Sequence, residues 1–103
     1  MIKLKPGVRI AGIRPEITLA LQIADGLFAA ENLDCVVTSV VEGRHGRNSL
    51  HFVGLAVDLR RRGLSDAKKF SSDLRKARGA GFDVVLEETH IHVEFQPETG
   101  VNQ

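Results

Sequence analysis

Two short segments of the chain carry histidine and carboxylate side chains in patterns typical of strands. The first, SLHFVGLAVD, covers residues 49–58 and contains His51 and Asp58; the second, HIHVEF, begins with His90 and continues through His92. Imidazole and carboxylate groups are costly to bury without a partner, but zinc accepts both as ligands. Together the two segments predict a metal site, whereas the second segment alone would also suit solvated histidines on an open sheet face.

The alternation of apolar and polar residues indicates which of these side chains share a face. Asp58 lies on one face of its strand with Gly54, and His90 and His92 share a face of theirs. His51 has the opposite parity to Asp58, so the chain must bend near Gly54 or at the start of the segment to bring both to one ion. Three such ligands leave a fourth position for water, which is typical of a catalytic zinc site.

The first segment fits the pattern Ser-x-His-x-x-Gly-x-Ala-x-Asp from Ser49 to Asp58, and the His-x-His pair follows it. These motifs resemble those of the zinc D-alanyl-D-alanine peptidases, a family of D,D-carboxypeptidases, D,D-dipeptidases and phage L-alanyl-D-glutamate endolysins. The segment HIH also resembles the corresponding part of the hedgehog signalling domain, which belongs to the same structural group. The resemblance spans residues 49–92 and implies a hedgehog/DD-peptidase type of fold.

Carried over residue by residue, the resemblance implies that His51, Asp58 and His92 bind one zinc ion. It also implies that His90 stabilises the oxyanion that forms when water attacks a peptide carbonyl. Zinc would polarise that carbonyl and activate the water, so the implied reaction is metal-assisted hydrolysis of an amide bond.

The general base is the point at which the chain departs from the family pattern. The dipeptidases and endolysins carry an acid three residues before the last ligand, where this chain has Thr89. Glu88 and Glu87 stand immediately before it. Strand alternation would place Glu88 on the face of His90 and His92, which favours Glu88 as the base, whereas a loop would make Glu87 available instead.

Two further residues are candidates for substrate binding. The family uses an upstream arginine to hold a substrate carboxylate, and a guanidinium fork suits that task. Arg47 is nearer than Arg44 to His51 and is the candidate. The alternative, that both are solvated loop arginines without a role in binding, fits the sequence equally well. The resemblance gives Ser49 an orienting hydrogen bond rather than a nucleophilic role.

The elements that must position these residues follow from the spacing of apolar side chains. Helical spacing predicts one helix that begins at Pro15 and a second that is capped by Ser65 or Asp66. Strands are predicted at residues 35–41, 53–60, 82–86 and 90–95. The fold class is therefore α+β, with two helices against a small antiparallel sheet.

Composition limits the classes of function. The 103 residues predict a single domain over residues 1–103, and 14 Lys and Arg against 13 Asp and Glu give no electrostatic argument for nucleic acid or membrane as a partner. Cys35 is the only cysteine, which excludes an internal disulfide and a cysteine-based zinc site. No apolar stretch has the length of a signal peptide or a membrane span, so cytoplasmic synthesis is expected.

These observations predict a zinc peptidase whose partner is the stem peptide of peptidoglycan, of the D,D-carboxypeptidase or endolysin type. A phage-encoded enzyme that reaches the periplasm or cell wall at lysis would fit a chain without a signal peptide. The alternative is a non-catalytic metal-binding scaffold or virion interaction module of the same fold. The bond cleaved, the metal used in the cell and the oligomeric state stay open.

Overall fold

The computed structural model describes residues 1–41, 56–78 and 81–95, and these form two helices and a five-stranded mixed sheet. The helices are α1 (Pro15–Ala29) and α2 (Ala67–Arg78). The strands are β1 (Ile2–Leu4), β2 (Cys35–Val41), β3 (Ala56–Arg60), β4 (Phe82–Leu86) and β5 (His90–Phe95). The predicted α+β class is confirmed. The part of the second predicted strand before Ala56 lies outside the described residues.

The strands are arranged in the order β1-β2-β3-β5-β4. The pairs β2–β3, β3–β5 and β5–β4 are antiparallel, as predicted. β1 adds to the edge of β2 in parallel and makes the sheet mixed. The sequence does not reveal β1, because it has three residues, none of which is fully buried, and therefore lacks the alternation that marks a half-buried strand.

The first helix forms where the sequence predicts it. Pro15 occupies its first position, where a missing N–H costs nothing, and the carbonyl of Arg14 accepts hydrogen bonds from the first turn. Its buried residues recur at intervals of three and four: Ile17, Ala20, Leu21, Ala24 and Phe28. Asn32, just beyond the helix, has a φ of 61°, a left-handed conformation that prevents the helix from continuing.

The second helix is capped by Asp66. Its Oδ1 accepts a hydrogen bond of 3.0 Å from the backbone N–H of Lys69, the third helical residue, which decides between Ser65 and Asp66. Phe70 and Leu74 are buried, and the Phe70 ring lies 4.4 Å from that of Phe28 between centroids, so the two helices share one core. The helix ends at Arg78.

Both helices pack on one face of the sheet, and the candidate site residues of β3 and β5 lie on the other. In β3 and β5, the residues that face the helices are fully buried: Val57, Leu59, Ile91 and Val93. Each such side chain stabilises the fold by about 1.5–3 kcal/mol relative to an exposed one. The alternate residues Asp58, His90 and His92 are half-buried and face away from this core.

Cys35 belongs to the core. It is fully buried, and burial raises the pKa of its thiol to about 12, with the charge of Asp25 acting in the same direction. The side chain therefore packs as a small hydrophobic residue. Phe70 and Phe82 are also buried, and Phe95 is half-buried and packs against the same core. In the part of the chain that the structure describes, neither helix is long and apolar enough to cross a membrane.

Candidate metal centre

The register between β3 and β5 brings the two sequence segments together. Asp58 pairs with His92, and Arg60 pairs with His90. Residues directly opposite each other in an antiparallel pair project to the same face, at a separation that lets their side chains meet. The carboxylate and both histidines therefore lie side by side on the face of the sheet opposite the helices.

The Asp58 carboxylate is the centre of this group. Its Oδ1 lies 2.7 Å from Nδ1 of His92, a short hydrogen bond in which the imidazole N–H donates to a charged acceptor. The same oxygen lies 3.7 Å from Nε2 of His90, which is ion-pair distance but too long for a hydrogen bond. The Asp58 side chain is only 18% exposed, so these contacts are partly shielded from solvent.

Glu94 holds the other side of the His92 ring. Its Oε1 lies 3.0 Å from Nε2 of His92, so the imidazole sits between two carboxylates. The hydrogen bond to Asp58 raises the pKa of His92 to about 9, burial opposes this shift, and Glu94 adds to it. In the metal-free chain, His92 is therefore a cation at neutral pH.

Glu94 is a site residue that the sequence analysis did not single out. The alternation of HIHVEF places it on the face of His90 and His92, so the signal was present. No position of the motifs corresponds to Glu94, so the resemblance assigns it no role.

Asp58 and His92 offer donors of the chemistry that zinc accepts, an imidazole nitrogen and a carboxylate oxygen. Two of the three predicted ligands are thus adjacent. Within residues 1–41, 56–78 and 81–95, no group of three histidine, cysteine, aspartate or glutamate side chains is placed to hold a metal ion. The third predicted ligand, His51, lies outside the described residues, as do Arg47 and Ser49, and the complete site stays a prediction.

The candidate bases lie in the turn between β4 and β5. The backbone N–H of Glu87 donates to the carbonyl of His90 at 2.8 Å and closes this turn, which exposes both Glu87 and Glu88. The alternation argument for Glu88 is wrong, because β5 begins only at His90 and parity holds only within a strand. The choice between the two glutamates therefore stays a prediction.

Thr89 stands three residues before His92, at the position of the acid in the motif that the sequence resembles. Its Oγ1 lies 3.2 Å from Nδ1 of His90. A hydroxyl that donates to Nδ1 leaves the ring proton of a neutral imidazole on Nε2, the nitrogen that faces Asp58. The contact places the Thr89 hydroxyl against the His90 ring.

Comparison with known proteins places the chain in a family. Residues 19–95 match the family model of the Hedgehog amino-terminal signalling domain, which is 77 of the 103 residues. The chain belongs to the Hedgehog amino-terminal signalling domain family. This family shares the hedgehog/DD-peptidase fold with zinc peptidases.

The matched region of this Hedgehog-type domain contains most of α1 and all of β2, β3, α2, β4 and β5. The predicted relationship to the hedgehog/DD-peptidase group is thereby confirmed at the level of the fold. The model of the zinc D-alanyl-D-alanine peptidase family itself does not match the chain. No curated protein and no solved structure matches it either.

Proposed function

We propose that this Hedgehog-type domain is a zinc-dependent peptidase that hydrolyses peptide bonds in the stem peptides of peptidoglycan. The observation that supports the proposal most directly is the 2.7 Å approach of Asp58 Oδ1 to His92 Nδ1, on the sheet face away from the core. This pair corresponds to two ligands in the zinc peptidases that the sequence motifs resemble. His51 would complete the ligand set for one zinc ion.

The contact between Glu94 and His92 supports this ligand set. Histidines that bind a metal through one ring nitrogen usually donate the N–H of the other to a carboxylate or carbonyl. Glu94 Oε1 lies 3.0 Å from Nε2 and would accept that hydrogen bond, which leaves Nδ1 for the metal. Glu94 would thereby fix the tautomer and the ring orientation of His92.

Bound zinc would supply Lewis acidity toward the scissile carbonyl and lower the pKa of water to about 7. The proton of the attacking water must then reach the leaving amine. Glu88 or Glu87 would accept it and pass it on, since both carboxylates are exposed in the turn that precedes His90.

His90 would stabilise the negative charge that develops on the carbonyl oxygen. A Thr89 hydroxyl that donates to Nδ1, 3.2 Å away, would leave the proton of a neutral ring on Nε2, from which it could be donated to an oxyanion. Removing one such donor typically lowers the rate about 10²–10³-fold. The proposed setting is that of a phage lysis enzyme which meets its substrate in the cell wall.

The test combines metal analysis with hydrolysis of purified peptidoglycan and synthetic stem peptides. We expect one zinc per chain, release of new amino groups, loss of activity on chelation and recovery on addition of zinc. Asp58→Ala should lose both zinc and activity. Asp73→Ala is the matched control, because Asp73 lies on α2 and pairs with Lys69 at the surface, and it should retain both.

A second candidate function is a metal-binding scaffold without hydrolysis. It is favoured by the family match, which is to a signalling domain, and by Thr89 at the position where the peptidases carry an acid. A chain that binds one zinc and cleaves neither peptidoglycan nor stem peptides would support it. If Glu87→Gln or Glu88→Gln abolishes hydrolysis while zinc stays bound, the peptidase proposal is supported instead.

A further inference from the structure

A pocket of about 430 Å³ lies between two turns at one end of the sheet, and its walls are Arg60, Arg61, Arg62, Glu88 and Thr89. We infer that this pocket binds a carboxylate group of the peptide substrate through Arg60 and Arg62. The inference rests on the proposed function for the nature of the ligand, which is a peptide. It adds a second anion-binding region to the predicted Arg47.

The two turns that form the pocket are held in place by backbone contacts. The turn after β3 is closed by a 3.2 Å hydrogen bond from the N–H of Leu64 to the carbonyl of Arg61. Gly63 within it has a φ of +98°, a backbone conformation that residues other than glycine rarely adopt. The guanidinium of Arg61 donates to the carbonyl of Glu87 at 2.8 Å and joins this turn to the β4–β5 turn. Arg61 is therefore a positioning residue.

The charge in the pocket favours an anion. Three arginines line it together with one acidic residue, Glu88. In the part of the chain that the structure describes, neither Arg60 nor Arg62 forms an ion pair, so their hydrogen-bond donors are available. Arginine binds carboxylates through two parallel N–H donors, a geometry that a lysine lacks.

The pocket adjoins the candidate metal centre. Arg60 pairs with His90 across the strands and lies two residues from Asp58, about 6.5 Å along β3. Thr89, in the pocket wall, contacts the His90 ring at 3.2 Å. An extended peptide advances about 3.3–3.6 Å per residue. A carboxylate in the pocket would therefore belong to a residue one or two positions from the scissile bond.

Such a carboxylate can be the C-terminus of the peptide or the side chain of an acidic residue. A binding experiment separates the two sources and needs no hydrolysis. The probe is a fluorescently labelled stem tetrapeptide in three forms: both carboxylates free, the C-terminus amidated, or the glutamyl carboxylate amidated. The dissociation constant of each form is measured by anisotropy with the full chain in chelator at low salt.

We expect amidation of one of the two carboxylates to weaken binding to the native chain about tenfold. The variant R60Q/R62Q should bind the free form as weakly as the native chain binds that amidated form. Arg9→Gln is the matched control, because Arg9 is exposed and does not line this pocket, and it should change the constant less than twofold.

Equal affinity of the native chain for all three forms would overturn the inference, as would an equal loss in Arg9→Gln. The single variants R60Q and R62Q keep the test decisive if R60Q/R62Q does not fold, because each should weaken binding of the free form and leave binding of that amidated form unchanged. A chain that prefers the free carboxylate but does not cleave any peptide with zinc would support the pocket and contradict the proposed function. Hydrolysis of free and amidated peptides with the same KM would contradict the pocket alone.

Discussion

His92 and Asp58 meet across the β3–β5 pair, with Nδ1 of the imidazole 2.7 Å from Oδ1 of the carboxylate, although 34 residues separate them in the chain. The register of β3 and β5 brings them together. The apolar residues that alternate with them on each strand face the core and thereby fix that register. In the metal-free chain a proton occupies the contact at which a metal would bind. The proton and the metal therefore compete for the same nitrogen.

The first prediction concerns the pH dependence of stability in the chelator-treated chain. The pKa of His92 is raised from 6.5 to about 9, mainly by the hydrogen bond to Asp58. Because the folded state holds this proton more tightly than the unfolded state, its contribution is complete below about pH 6.5 and is lost as the pH rises through about 9. The free energy of unfolding should fall by about 3 kcal/mol across this range, measured by urea denaturation.

The control for this prediction is His92→Gln, which removes the titrating group. Its free energy of unfolding should change little between these pH values. If the curves of the native chain and of His92→Gln run parallel, the Asp58–His92 contact does not hold the proton. Added zinc should stabilise the native chain more at high pH than at low pH, since binding requires the deprotonated ring.

The second prediction concerns Glu94. Glu94→Gln removes the charged acceptor at Nε2 of His92, so the pKa of His92 should fall toward its ordinary value. Loss of a carboxylate that orients a histidine ligand typically weakens metal binding about 10–100-fold. Imidazole titration by NMR measures the first effect, and competition with a chromogenic zinc chelator measures the second.

Glu88→Gln provides the comparison, because Glu88 lies in the exposed turn before β5 and is a candidate base rather than a partner of His92. It should leave the zinc affinity and the pKa of His92 unchanged. Equal losses of zinc affinity in both variants would show that charge near the site, rather than the hydrogen bond from His92, controls binding.

The sequence predicts features set by neighbouring residues of one strand better than contacts between residues that are far apart in the chain. Alternation in HIHVEF correctly places Ile91 and Val93 in the core and His90 and His92 on the other face, because alternation follows directly from strand geometry. The pairing of Asp58 with His92 does not follow from either segment alone. It depends on which strands are neighbours in the sheet. The motif resemblance indicates that the two segments meet, whereas alternation within one strand does not.

The sequence predicts the ends of the strands less well than their faces. The parity argument for Glu88 assumed that the last strand extends back to it, whereas the hydrogen bond between Glu87 and His90 closes a turn there. Alternation shows the faces of a strand but not where the strand begins. Ile2–Leu4 was missed for a related reason, since an edge strand of three residues has no buried alternation to show.

The third prediction concerns the thiol of Cys35. It is fully buried in β2, and burial raises its pKa to about 12. In the folded chain a disulfide reagent therefore cannot reach the sulfur, and the thiol stays protonated and unreactive. We expect no labelling by an aromatic disulfide reagent at pH 8 without denaturant and complete labelling in urea. The extent of labelling should follow the unfolding transition measured by circular dichroism. Rapid labelling without urea would place Cys35 outside the core.

The fourth prediction separates the two residues that the sequence offered as the cap of α2. The Asp66 carboxylate accepts a hydrogen bond from the N–H of Lys69, and the Ser65 backbone N–H instead donates to Glu31 Oε1 at 3.0 Å. Asp66→Ala should therefore lower the free energy of unfolding by about 1 kcal/mol, the usual cost of losing an N-cap.

Ser65→Ala is the matched control, because it keeps the backbone donor and removes only the hydroxyl. It should change the free energy of unfolding by less than about 0.5 kcal/mol, as is usual for a surface substitution. Urea denaturation of the two variants beside the native chain measures the difference. The opposite order of stability would mean that the helix begins one residue earlier, with Ser65 as its cap.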